Sequence, residues 1–265
     1  MWAMKPKDLR LDKLRLPTLV QPKIDGMRAK FERGVWTSAD DNEIVGMQYY
    51  HSLLAPLEAV GLQVDVELEC QGKDFEEGCG YIRSHADYKL DLIVNIIDIP
   101  NVKNVNTRER LRWIGKFFNT TIRHPDIRPI PFFDVDTLEG LDYYYKKFRS
   151  EGYEGWVCKD PNSLYTPGKT WDWMRRVPVK SVDCKVVGWI PGKGKYEGAC
   201  GSLVVLDPHG QRFNVGGGLD DSERFEIASD FGSYNGRSVR VLYQRRTNTG
   251  SYRHPRVDRW RVDQD

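Results

Sequence analysis

Nine residues, Leu62-Gln63-Val64-Asp65-Val66-Glu67-Leu68-Glu69-Cys70, alternate apolar and polar without a break. Side chains of an extended chain point alternately to its two faces, so this stretch reads as a half-buried strand. Leu62, Val64, Val66, Leu68 and Cys70 share one face; Asp65, Glu67 and Glu69 share the other. Three acids on one face repel each other unless solvent, a cation or a metal compensates.

A compact chemical set lies upstream, in Gln21-Pro22-Lys23-Ile24-Asp25-Gly26-Met27-Arg28. If the chain is extended here, Lys23 and Asp25 point to one side. Gly26 permits a turn or a close backbone approach. Met27 to Glu32 alternates as a second half-buried strand, and Val35 to Ser38 continues the pairing. A lysine beside fixed cations or a metal can lose its proton and attack phosphorus or carbonyl carbon.

The rest of the first two thirds mixes helices and strands. Gln48 to Val60 is a helix candidate interrupted by Pro56, and Asp74 to Gly80 reads as a loop. Leu90 to Pro100 reads as a buried strand. Asn106 with Glu109 has capping-box spacing for a helix to about Phe118; Asp136 with Glu139 starts another, which Gly152 ends. Glu154 to Lys159 is a short strand with an acid before it and a base at its end, and Trp171 to Arg176 is aromatic and basic. Near Val177 to Lys185 the texture changes. Five short strand-like segments follow (185–190, 202–206, 212–215, 238–243 and 257–262), with one helix candidate from Asp221 to Ser229. That pattern suggests a small barrel of the OB type. The expected domains are therefore 1–180 and 181–265.

Lys plus Arg number 40 and Asp plus Glu 38, so the distribution of charge says more than its sum. Eight arginines lie between Arg237 and Arg261, with Asp258 the lone acid, which points to phosphate contact or a solvated face. The five cysteines are scattered and form no CxxC pair, which favours reduced thiols in a cytoplasm. The first residues lack the apolar stretch of a signal peptide, and no run approaches membrane-spanning length. His85, His124 and His254 have no metal-ligand spacing.

The KxDGxR set at Lys23, the acidic strand, the EGxVxK strand at Glu154 to Lys159 and a trailing barrel stand in the order seen in covalent nucleotidyltransferases. Within that superfamily the chain resembles the ATP-dependent DNA ligases, most of all the small ligases of tailed bacteriophages. Further stretches carry the resemblance: Lys73-Asp74-Phe75 with Gly78 to Arg83, Glu151 to Gly155 with Lys159-Asp160-Pro161, Gly250 to Pro255, and Gly192 to Gly198 with Gly201-Ser202-Leu203. The last run is not a P-loop, because no Ser or Thr follows Gly-Lys at the required spacing.

The resemblance implies an α+β fold: an adenylation domain of antiparallel sheets and helices, then a C-terminal OB-fold β-barrel. It implies sealing of 5′-phosphate/3′-hydroxyl nicks in duplex DNA. The protein would act as a monomer that encircles or clamps the duplex, with no membrane partner. Lys23 would attack the α-phosphate of ATP and carry AMP. Asp25 would orient the reacting groups and later help the nick 3′-hydroxyl. Arg28 would bind the nucleotide and then the nick phosphate. Glu67 and Glu154 would contact the ribose or a divalent metal, Mg2+ or Mn2+. Lys159 and Arg175 would hold the α-phosphate, Gln21 would meet adenine through its backbone, and Ile24 and Ile97 would line the nucleotide site. Arg261 and Asp263 fall at the motif that orients pyrophosphate. Arg245, Arg246, Arg253 and Arg256 would join Arg28 on DNA. Trp171 and Trp173 read as packing between domains.

The chain departs from the family pattern at four places. Arg175-Arg176-Val177 replaces Lys-x-Lys, with Arg176 or Lys180 open as substitutes for the second lysine. Ile97 stands where an aromatic often stacks on adenine. Ala39 follows Ser38 in place of arginine, and Gln264 stands in place of lysine. An RNA ligase or an mRNA guanylyltransferase shares KxDGxR, and a non-catalytic OB protein that binds nucleic acid is the alternative from another class.

Overall fold

The computed structural model describes residues 2–261. The chain divides into two compact units, Met1–Val177 and Pro178–Asp265. Among the described residues no helix is long and apolar enough to cross a membrane.

The first unit holds two five-stranded sheets. One runs β1 (Met4–Asp8), β10 (Gly168–Arg176), β9 (Gly155–Lys159), β2 (Thr18–Lys23) and β8 (Phe133–Val135). β1 lies parallel to β10; the other neighbours are antiparallel. The second runs β4 (Val35–Ser38), β3 (Met27–Glu32), β5 (Val64–Cys70), β6 (Leu92–Asp98) and β7 (Ile127–Pro129).

β5 is the alternating strand, and its apolar face is buried as expected: Val64, Val66 and Leu68 are fully inside. They pack with Phe31 of β3 and with three helices, α1 (Gln48–Ala59), α2 (Phe75–Arg83) and α3 (Thr107–Thr120). Its polar face is not simply wet, because Asp65 is also fully buried. A fourth helix, α4 (Leu138–Ser150), covers the other sheet through Leu141 and Phe148, which meet Val20 and Trp156. The Trp156 indole N–H donates to the Leu141 carbonyl at 3.0 Å, which satisfies the polar atom of a buried ring.

Three local expectations change. The expected loop at 74–80 is the start of α2. Asp74 caps it, accepting from the Glu76 and Glu77 amides at 2.8 and 3.0 Å, and Cys79 and Ile82 supply its buried side. α1 continues through Pro56, held by the buried Leu54 and Leu57 on either side. α4 is capped by Thr137, whose hydroxyl accepts from the Gly140 amide at 3.0 Å, so Asp136 lies outside it. Gly26 is required by a close approach: a Cβ there would stand 2.4 Å from the Leu68 carbonyl oxygen, where β3 enters beside β5.

The second unit is a five-stranded antiparallel sheet. Its order is β13 (Arg212–Val215), β12 (Cys200–Leu206), β11 (Lys180–Pro191), β14 (Ser238–Tyr243) and β15 (Arg256–Trp260). Helix α5 (Asp221–Ser229) carries a capping box, Asp220 with Glu223, and packs Ile227 against Leu203, Val205 and Val239. The outer edges meet just past β13, where the Val257 amide donates to the Gly217 carbonyl at 2.8 Å. Gly218, at φ +91°, leaves room for that contact; a Cβ would stand 2.1 Å from the Val257 oxygen. The expected barrel closure is thus represented by one bridge, Gly217 to Arg256.

Candidate active site

A cavity of about 630 Å³ opens in the first unit between its two sheets. One wall is the face of β2, β9, β10 and β1; Arg28 from β3, Glu67 from β5 and Ile97 from β6 form the other. Ile24, Ile97, Ile130, Val157, Trp171 and Trp173 make it largely apolar. Eight lysines and arginines line it against two acids, Asp8 and Glu67, so it favours an anion that carries an apolar body.

Lys23 ends β2 at one end of this space. Its Nζ lies 2.5 Å from Glu154 Oε2, and its carbonyl accepts from the Glu154 amide at 2.9 Å. Glycine at 155 makes the juxtaposition possible. Gly155 adopts φ +150°, and a Cβ there would stand 2.0 Å from the Arg176 carbonyl oxygen. Glu67 faces the same lysine. Burial pushes its carboxyl up to about 7, against the opposing pull of Lys23 and Arg28.

Register places Lys159 at the other end. Lys23 pairs with Gly155 in β9, whereas Lys159 pairs with Leu19 and Trp173. The four residue steps from Gly155 to Lys159 span about 13 Å of strand. Lys159 is 1% exposed; its Nζ donates to the Ile97 carbonyl at 3.2 Å and lies 3.8 Å from the Trp173 ring centre. Burial lowers its amine to about 7, although Asp98 and Asp65 pull the other way.

The structure brings most of the expected site residues to this cavity. Gln21 lines it, with its carboxamide nitrogen tied to the Ile130 carbonyl at 2.9 Å. Ile24 and Ile97 line it, and Arg175 does so while bonded to Asp8 at 2.9 Å. Arg28 is clamped by Asp65, Nε to Oδ1 at 2.9 Å and Nη2 to Oδ2 at 2.5 Å; Tyr165 donates to the same carboxylate at 3.0 Å. Trp171 and Trp173 line the cavity as well. Among the described residues the buried Trp173 indole N–H has no hydrogen-bond partner.

The strand stops at Lys23, and Asp25, two residues on, lines a second recess of about 70 Å³ with Glu69, Lys73 and Asp74. Two other features escaped sequence reasoning because each joins distant segments. They are the Asp65 clamp on Arg28 and a buried pair, Asp98 with Arg110, behind Lys159.

Among the described residues no three metal-ligating side chains form a group. The carboxylates of Glu67 and Glu154 beside Lys23 nevertheless fit a magnesium-type ion, which takes one or two carboxylates and completes its shell with water and phosphate oxygens.

In the second unit Arg261 donates to Asp183 at 3.0 Å, a carboxylate shared with Arg240. Arg246 is bonded to the buried Asp207 at 3.0 Å and to the Tyr252 hydroxyl. Asp207 also accepts from Tyr252 at 2.7 Å and from the amides of His209 and Gln211. Burial raises its carboxyl, but these donors outweigh burial and hold it well below the ordinary carboxylate range. Arg246 therefore braces the 244–255 loop while its side chain stays 38% exposed, and the backbones of Arg245 and Arg253 bond each other at 2.9 Å. Arg256 lies at the closing bridge. Asp263 and Gln264 fall outside the described residues.

The two units and the lysine-headed cavity agree with the expected fold class, a nucleotidyltransferase-type fold followed by an OB-type one. Residues 191–261 match the family model described as DNA ligase OB-like domain. A DNA ligase of Enterobacteria phage T3 is 30% identical over 145 residues, 50% of this chain and 40% of the phage protein. A solved Lig E DNA ligase superposes with a TM-score of 0.79 at 21% identity, covering 97% of this chain and 98% of its own. The ATP-dependent DNA ligase of bacteriophage T7, in complex with ATP, does so with a TM-score of 0.56 at 19% identity, covering 97% and 98%. The chain is thus similar to DNA ligases in sequence over about half its length, and its fold is similar to that of ATP-dependent DNA ligases. Its match spans less than half the length of the phage T3 relative.

Proposed function

We propose that the protein is an ATP-dependent DNA ligase that seals 5′-phosphate/3′-hydroxyl nicks in duplex DNA. The observation that carries this reading is Lys23, with a carboxylate oxygen 2.5 Å from its nitrogen, at the end of a cationic, apolar-walled cavity. To attack, the Lys23 ammonium must lose a proton, and Glu154 Oε2 is placed to take it. The nitrogen then bonds the α-phosphorus of ATP as the bond to the β-phosphate oxygen breaks, and pyrophosphate leaves. An oxygen of the nick 5′-phosphate attacks the same phosphorus and releases Lys23. The 3′-hydroxyl finally attacks the 5′-phosphorus, and AMP departs.

Glu67 and Glu154 would hold Mg2+ or Mn2+, which supplies neutralisation of phosphate charge when bound. Arg28, fixed by Asp65, presents its guanidinium to the nucleotide beside Lys23. Lys159, about 13 Å along the strand from the Lys23 row, meets the base and not the α-phosphate. Gln21, Ile24 and Ile97 shape the base slot, and Arg175 guards its rim. Asp25 serves the nick 3′-hydroxyl from its own recess. Arg245, Arg253 and Arg256 contact the DNA backbone, and Arg261 orients pyrophosphate. Such a protein works in the cytoplasm of a cell or infected host.

Intact mass after incubation with ATP and Mg2+ tests the reading: one AMP on Lys23 is expected, followed by its transfer to a nicked duplex. GMP in its place would make the protein a capping-type transferase. Transfer confined to RNA nicks would make it an RNA ligase, and DNA binding without any adduct would make it a non-catalytic OB protein.

A further inference from the structure

Behind the Lys159 end of the cavity lies a buried charge cluster that the proposed steps leave unused. Asp98 ends β6 and Arg110 stands in the first turn of α3; neither side chain is exposed. Arg110 Nε donates to Asp98 Oδ1 at 2.8 Å and Nη2 to Oδ2 at 3.1 Å. Its remaining donors reach the Val105 carbonyl at 2.6 Å and the Thr107 hydroxyl at 3.1 Å, so the guanidinium is fixed on both sides.

Lys159 Nζ stands 3.9 Å from Asp98 Oδ2, beyond hydrogen-bond reach. The other charged groups facing it are Asp65 and Arg28, which are bonded to one another, and Tyr165 donates to the same Asp65 carboxylate. Two buried acids are thus each gripped in two-pronged fashion by an arginine of their own. Lys159 is the fifth charge of the cluster and meets Asp98 only as a long ion pair, without a hydrogen bond. A bidentate arginine outcompetes an ammonium for a planar carboxylate.

We propose that Arg110 is a positioning residue: by occupying both oxygens of Asp98, it keeps Lys159 out of a hydrogen-bonded ion pair and holds its amine toward the cavity for the nucleotide base. The inference rests on the nucleotide reading of the cavity, but the state of the amine can be measured without nucleotide. Burial and the two arginines together lower the amine of Lys159, which agrees with the geometry. Without the guanidinium, Asp98 keeps one cation in reach. Lys159 then closes onto it, binds its proton more tightly and withdraws from the base.

The test follows the lysine side-chain nitrogens by NMR across pH in wild type, Arg110→Met and Arg110→Lys. In the wild type Lys159 should titrate near 7. In Arg110→Met the midpoint should rise by at least about one unit, a tenfold gain in proton affinity. Arg110→Lys, which engages one carboxylate oxygen at a time, should fall between. In parallel the KM for ATP should rise about tenfold in Arg110→Met, and the pH limb of KM should move upward with the NMR midpoint. Equal midpoints in wild type and Arg110→Met would overturn the proposal. If Arg110→Met does not fold, the wild type and Arg110→Lys decide: a wild-type midpoint in the ordinary lysine range, or no rise in Arg110→Lys, overturns it. Absence of AMP on wild-type Lys23 would remove the ligase reading and leave the NMR result standing.

Discussion

Two lysines mark the ends of one cavity and are held in opposite ways. Lys23 is partly open to solvent, and Glu154 touches its nitrogen at 2.5 Å. Lys159 is buried, and its nearest carboxylate stands off at 3.9 Å because an arginine has taken it. A lysine that must form a bond needs an acceptor for its proton in contact. A lysine that must hydrogen-bond a ligand needs its donors kept away from fixed carboxylates. The same side chain is adapted to either task by where the nearest acid is allowed to stand.

The comparison breaks most sharply at Lys23. Lys23→Ala should carry no AMP after any incubation with ATP, whereas Lys159→Met should still be adenylated; an adduct surviving on the first variant would move the nucleophile elsewhere. Glu154→Gln should come next, with single-turnover adenylation slowed by at least ~10²-fold, the size expected when a positioned proton acceptor is lost. A near-normal rate would mean that the Lys23 proton leaves by another route. At the far end Lys159→Met should raise the KM for ATP about tenfold, roughly 1.4 kcal/mol of binding.

The same variant tests burial through stability. The folded protein holds Lys159 near 7, below its ordinary 10.5, so folding favours the neutral amine. That preference stabilises the wild type above about 10.5 and is lost as pH falls through about 7. The melting temperature of Lys159→Met relative to wild type should therefore climb by several degrees between pH 10 and pH 7, then level off. A gap that does not change with pH would show that Lys159 is charged throughout. The smallest effect belongs to Trp173→Phe, which keeps a ring under Lys159 but deletes the unpartnered N–H. A rise of about two- to fivefold in the KM for ATP is expected, within the range of one neutral hydrogen bond. An unchanged KM would leave that N–H without a ligand.

What the sequence made legible follows the range of the interaction. Alternation in β5 announced a buried face, and Gly26 announced a close approach; both depend on residues a few positions apart. The Asn106 cap of α3 is equally local: its side chain accepts from the Glu109 amide at 2.9 Å. Asp74 was legible in principle, since the same capping chemistry applies, but two glycines in the following turn looked like a loop. The recess that Asp25 lines was not legible, since Glu69, Lys73 and Asp74 reach it from distant segments. The grip of Asp65 on Arg28, of Arg110 on Asp98 and of Asp207 on Arg246 could not be seen, since each pairs segments that only the folded sheets bring together.

One pairing in the first unit bears on how the protein is made. β1, with Met4, lies against β10, with Gly168, so the first strand of that sheet waits for one of the last to be synthesised. At about 5–20 residues per second, a ribosome leaves β1 unpaired for roughly ten to thirty seconds. The cavity wall that includes Lys7 and Trp171 is therefore assembled late, after the second sheet has all its strands in hand. Until then the nascent chain carries Lys23 on an unfinished sheet, and this wall of the cavity waits for β10.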